Sequence, residues 1–175
     1  PVFTLGVLLC LGLLALMRLS QLPALGLAAM LCMWLLENSW WDRHFDVTQP
    51  WMALGWFTGV AALFASYPFV WRSRFQEVAL PWIVSATSWV LHGWLIYWVC
   101  EAMPVFKGRL GIVPALLMFP PLLSFMTVMK MPRPMDAAVR NSQFAWFGGV
   151  TLGFFTLIFP IQFEHQWITD RKSVV

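Results

Sequence analysis

VALPWIVSATSWVLHGWLIYWVC, residues 78–100, contains no Asp, Glu, Lys or Arg. Wound as an α-helix at about 1.5 Å per residue, it reaches roughly 34 Å, enough to cross a hydrocarbon layer about 30 Å thick. Five further stretches read the same way: 2–17, 22–41, 51–70, 110–129 and 144–163. The second is apolar only to Leu36; Glu37 onward reads as interfacial. Porin-type strands would alternate polar and apolar residues over about ten positions. These runs do not alternate. Open sheet edges leave backbone groups unsatisfied in lipid, so helices are the expected form. The expected fold is therefore all-α: a polytopic transmembrane bundle of about six antiparallel spans.

Composition agrees with that reading. Sixty per cent of the 175 residues are apolar, 17% aromatic and only 11% charged. Soluble domains carry about 25% charged residues. Trp40, Trp41, Trp51, Trp71, Trp98 and Trp167 stand near the ends of apolar runs, where an indole meets both hydrocarbon and headgroups. Trp56 and Trp89 are mid-run and read as packing residues. Cys10, Cys32 and Cys100 show no CxxC spacing and read as small apolar residues. A net charge of +3, scattered along the chain, gives no basic patch for nucleic acid. The partners expected are membrane lipid and further helices of a parent protein.

The connections 18–21, 37–50, 71–77, 101–109 and 130–143 are too short for a separate soluble domain. The first, third and fifth hold Arg18, Arg72, Arg74, Lys130, Arg133 and Arg140; the second and fourth hold Arg43, Lys107 and Arg109. Lys and Arg collect on the cytoplasmic side. The odd connections are thus expected inside, and the 162–167 end outside. Pro1 leads straight into an apolar run with no signal-peptide pattern, so a cut through a longer protein is expected. Residues 1–169 form the expected transmembrane region. The last six, 170–175, change charge pattern abruptly and match what one frame of a sequencing adapter encodes, so they are expected to be a non-native tail.

Three features bear on chemistry. His92 lies well inside the fourth span, and an ionisable group at membrane depth is a functional candidate. Ser88 is four residues before it, on the same helix face, and Ser85 and Thr87 are close by. His92, Ser88 and Ser85 form a candidate polar membrane site; the competing reading is a neutral imidazole hydrogen-bonded to a neighbouring helix. Gln162, Glu164 and His165 form a candidate outer-interface site, where an acid/base pair would meet the membrane surface; residues that simply end the helix explain them too. Asp42, His44 and Asp46 could supply ligands for a divalent ion, although a solvated loop accounts for them. There is no Walker loop, GxGxxG or Ser–His–Asp pattern, and no cofactor, resident metal or catalytic residue is expected.

Two features bear on packing. Gly55/Gly59 and Gly149/Gly153 each place two glycines on one face, the spacing of close helix approach. Pro114, Pro120 and Pro121 predict a kink or break near Phe119.

The stretch AWFGGVTLGFFTLIFPIQFEHQWIT, residues 145–169, resembles a segment of a bacterial membrane-protein family, domain of unknown function 2339. There an AWFGGVAL-type helix runs into FPIQF and QWIT. Pro81-Trp82, Ser85-Ala86 and Leu91-His92 are similar to another part of that family, in the same order. The resemblance covers about residues 78–169. Gly93 stands where the family places an aromatic, and the family continues after Thr169 into a further helix. It implies a bacterial inner-membrane location, many more helices in series and no established activity. Three functional readings follow: an envelope-associated or scaffold protein; a transporter or lipid-handling protein using the polar site at His92; and a membrane-embedded enzyme acting on a lipid-linked substrate.

Overall fold

The computed structural model describes residues 2–20, 22–131 and 136–172, with side chains to Phe163. Arg133 and the tail residues 173–175 lie outside the described residues. Seven α-helices and one 3₁₀ turn follow each other with no strand among the described residues. They are α1 (Val2–Ser20), α2 (Ala24–His44), α3 (Pro50–Val70), α4 (Arg72–Phe75), α5 (Ala79–Ala102), α6 (Ile112–Lys130) and α7 (Ala137–Lys172), with the 3₁₀ turn at Pro104–Phe106.

Among the described residues, five helices are long and apolar enough to cross a membrane: Phe3–Ser20, Pro50–Val70, Ala79–Ala102, Ile112–Lys130 and Ala137–Phe163. The remaining expected span corresponds to α2, a helix of 21 residues. Glu37, Asn38, Asp42 and Arg43 lower its apolarity below that of the others. No Gly or Pro interrupts Glu37–His44, so the helix runs through the residues expected to be a connection. Pro50 opens α3, at a position where its missing N–H costs no intrahelical bond.

Contacts fix the order of the bundle. Hydroxyls of Ser85 and Ser88 on α5 bond the carbonyls of Ala65 and Ala61 on α3. The paired numbers run in opposite directions, so α3 and α5 are antiparallel. On α6 and α7, Phe125 meets Phe144 near one end, and Gly111 meets Gln162 near the other. These two are antiparallel as well. α5 packs against α2, α3, α6 and α7 and is the most buried of the five spanning helices, 61% of its apolar window lying inside the bundle.

Two aromatic clusters close the bundle ends. Tyr67 donates its phenol to the Pro81 carbonyl (3.1 Å), and the Trp82 indole donates to the Phe75 carbonyl (2.8 Å). Phe3, Trp40, Trp56 and Phe57 stack edge and face at the other end. Arg140 caps the C-terminus of α6, donating to the carbonyls of Val128 (2.6 Å) and Met129 (3.3 Å). A cation there also complements the helix dipole.

The proline-rich span does not break. α6 runs continuously from Ile112 to Lys130. Pro114 falls in its first turn, where the missing donor has no intrahelical acceptor to serve. Pro120 and Pro121 are inside the helix, and α7 packs along it.

The glycine pairs differ from expectation too. A Cβ at Gly55, Gly59, Gly149 or Gly153 would meet nothing within 4 Å. Gly149 and Gly153 instead line an apolar groove of about 460 Å³ with Val90, Trp146, Phe154 and Leu157. Close approach occurs at Gly93, where an added Cβ would lie 3.2 Å from the Phe154 ring and 3.3 Å from Leu117. An aromatic at this position has no room, because α6 and α7 both close on it. Gly93→Ala is expected to lower the thermal midpoint in detergent, at a cost of about 1 kcal/mol or more from overpacking. The same change at Gly153 should leave that midpoint in place.

Topology has a direct check. In a cysteine-free background, a membrane-impermeant thiol reagent added outside should label Asp42→Cys and Lys107→Cys and leave Arg72→Cys unlabelled. The opposite pattern reverses the orientation.

Candidate functional site

The segments 2–17, 24–36, 50–70, 79–100, 112–129 and 144–163 contain no Asp, Glu, Lys or Arg. His92 is the one histidine within them. Polar chemistry inside the bundle is therefore confined to a few side chains, and α5 carries most of them.

Ser85, Ser88 and His92 share one face of α5 and are all fully buried. Facing them on α3 are Ala61 and Ala65, four residues apart. Small side chains let the two backbones approach, so hydroxyls reach carbonyls across the interface. Ser85 Oγ donates to Ala65 O at 2.5 Å, and Ser88 Oγ donates to Ala61 O at 3.0 Å. The two serines thus act as interhelical ties. Thr87 instead bonds its own helix, at the Ile83 carbonyl.

His92 turns toward α2. Its Nδ1 lies 2.8 Å from the Ser88 carbonyl, and its Nε2 lies 3.1 Å from Glu37 Oε2. Both side chains are completely buried. The Phe64 ring lies nearly parallel to the imidazole, with centroids 6.4 Å apart. One turn before Glu37, the Trp34 indole donates to the Leu91 carbonyl at 3.1 Å. Trp34 and Glu37 lie on one face of α2 and hold it against consecutive residues of α5.

Glu37 is the residue that the sequence reading places wrongly. It stands at the end of the apolar run and reads as the first residue of a solvated connection. The structure sets it inside α2 and inside the bundle, at 0% exposure. The available signal was the missing helix breaker after Leu36, with Trp40 and Trp41 extending the apolar face beyond it.

The hydrogen-bond pattern fixes the proton inventory. A carbonyl oxygen only accepts, so His92 Nδ1 carries a hydrogen and donates it to Ser88. With a neutral ring, Nε2 is then a bare acceptor. An ionised Glu37 is also an acceptor only. Two acceptors at 3.1 Å would leave Nε2 and both carboxylate oxygens without a partner. One proton between Oε2 and Nε2 converts the contact into a hydrogen bond. Oε1 keeps no partner among the described residues even then.

Of the outer-interface group, only Gln162 has a described side chain. Gln162 accepts from the Gly111 N–H (3.2 Å) and donates to the Gly108 carbonyl (3.4 Å), fastening α7 to the loop before α6. Gly108 has φ +75°, a turn conformation that favours glycine. The side chains of Glu164 and His165 lie outside the described residues. In the 42–46 segment, Asp42 and His44 belong to the last turns of α2, and Asp46 accepts the Thr48 N–H at 2.9 Å. That bond holds the Asp46 carboxyl below its ordinary range. No group of three His, Cys, Asp or Glu side chains is placed to share a metal ion among the described residues.

No family model, curated protein or solved structure matches the chain.

A double-mutant cycle measures how the pair is coupled. His92→Leu alone leaves a buried carboxyl facing apolar side chains and should destabilise the detergent-solubilised protein by about 3 kcal/mol. Glu37→Leu with His92→Leu removes both polar groups and should return to within about 1 kcal/mol of wild type. Additive effects in chemical or thermal unfolding would show that the two residues do not act together.

Proposed function

We propose that this chain is the membrane-embedded part of a transporter or lipid-handling protein whose working group is the polar centre at Glu37 and His92. The observation that carries this reading is an ionisable pair completely buried where helices α2, α3 and α5 meet. Polar groups inside a membrane are expensive, and side chains that carry protons or bind substrate are the usual reason to keep them. A scaffold could join the same three helices by apolar contact and the two serine ties alone, with no carboxyl oxygen left unpartnered.

The setting is a multi-pass protein of the bacterial inner membrane, with α2 as a sixth span. The resemblance to the family with domain of unknown function 2339 supports this setting, as does the helical form of every long element, since outer-membrane spans are barrels. That family brings no activity with it. The enzyme reading has less support, because Gln162 is already committed to the loop at Gly108 and Gly111.

The test uses the full-length protein in phospholipid vesicles, with an inward proton gradient imposed. A panel of labelled amino acids, sugars and fluorescent phospholipids is offered, and uptake or leaflet exchange is followed. The expected result is movement of one class, driven by the gradient and reduced to background in Glu37→Gln. Movement unchanged in Glu37→Gln would remove the polar centre from the mechanism. No movement of any probe by correctly folded protein would favour the scaffold.

A further inference from the structure

We propose that Glu37 and His92 together form a binding site for a single exchangeable proton. The inference deepens the transport reading and rests on it only for what the proton is used for; the site stands on geometry.

Charge sets the number of protons. With one proton on the pair, its net charge is zero, whether the proton sits on Oε2 beside a neutral imidazole or on Nε2 beside a carboxylate. With none, the pair carries a full negative charge at 0% exposure. With two, it carries a positive one. An uncompensated charge in such surroundings is costly. Among the described residues, Glu37 has no ion-pair partner besides His92. Cys10 on α1 donates weakly to the Ala29 carbonyl (3.8 Å). On α2, Cys32 is exposed. On α3, Tyr67 is committed to the Pro81 carbonyl. On α5, Cys100 is buried and Glu101 lies at the helix end. The basic residues of α1, α6 and α7 are Arg18, Lys130, Arg140, Arg171 and Lys172, all at or beyond the ends of the apolar segments in sequence. One proton is therefore the neutralising ligand that fits.

The unpartnered Oε1 makes this an exchange site as well as a static hydrogen bond. A carboxyl hydrogen-bonded through both oxygens would be locked. Here one oxygen faces His92 and the other holds no bond among the described residues, so rotation of the carboxyl brings the proton-bearing atom away from Nε2. Loading forms one O–H or N–H bond with a proton taken from water. Unloading breaks that bond, leaves its electron pair on the carboxylate or the imidazole, and returns the proton to water. No redox partner is required. Because both side chains are fully buried, exchange requires α2 and α5 to separate around Trp34 and Glu37.

Glu37→Gln is the informative variant. Its amide donates to Nε2 as a protonated carboxyl would, so the fold is expected to survive while the proton site is lost. Wild type and variant are placed in lipid nanodiscs and followed by infrared difference spectroscopy in H2O and D2O. The ¹⁵N spectrum of labelled histidine is recorded alongside. The wild type should show either a protonated carboxyl band or an imidazolium pattern at His92, titrating as one proton and exchanging with deuterium. Both signals should be absent in Glu37→Gln. If that variant does not fold, His92→Gln serves: a protonated Glu37 band must persist there. A carboxylate beside a neutral imidazole at neutral pH, or wild-type spectra unchanged in the variant, overturns the proposal. Neither measurement needs a transported solute. A titrating pair without solute movement removes the transport reading and leaves the site; solute movement dependent on Glu37 without a bound proton does the reverse.

Discussion

Inside hydrocarbon, water is not present to satisfy a peptide group. Every N–H and C=O must find its partner within the protein, and an unmade bond there costs several kcal/mol. The architecture follows from this constraint. Long apolar segments coil into helices because each helix closes its own hydrogen bonds. Exceptions cluster where a neighbour can take up the slack. Arg140 covers the last carbonyls of α6, and Gln162 serves the turn at Gly108 and Gly111. The Pro81 and Phe75 carbonyls receive Tyr67 and Trp82.

Once backbones are closed, packing decides which helices touch. Lipid tails are as apolar as leucine, so burial alone selects no partner. Selection comes from surface shape and from polar reach. Ala61 and Ala65 leave α3 flat opposite Ser85 and Ser88, and the serines reach its backbone. Gly93 gives α6 and α7 the same closeness on another side of α5. α5 becomes central because its small and hydroxyl-bearing residues are distributed around it. The exposed glycines of α3 and α7 show that small residues at four-residue spacing permit approach without causing it.

The polar centre is a consequence of this order. With α5 packed between α3 and α2, His92 is enclosed, and its Nε2 faces α2. Glu37 presents one carboxyl oxygen there, 3.1 Å away. The pair joins α2 and α5 through side chains more than fifty positions apart in sequence, and among the described residues it places the one buried acidic group beside the one buried imidazole.

Hydropathy alone determined that the described chain is helical, where five of its long helices lie and that His92, Ser88 and Ser85 share a face. These are local properties, set by segment length and the 3.6-residue repeat. Glu37 was beyond that reach. Whether a carboxyl at the edge of an apolar run meets water or another helix depends on what packs against it, and a single segment does not contain that information. The same holds for Gly93, whose close contacts come from α6 and α7, and for Pro120 and Pro121, whose helix stays whole with α7 packed along it. Segment-level physics set the elements; the neighbours of each side chain, which only the tertiary structure supplies, decided which polar groups are buried together.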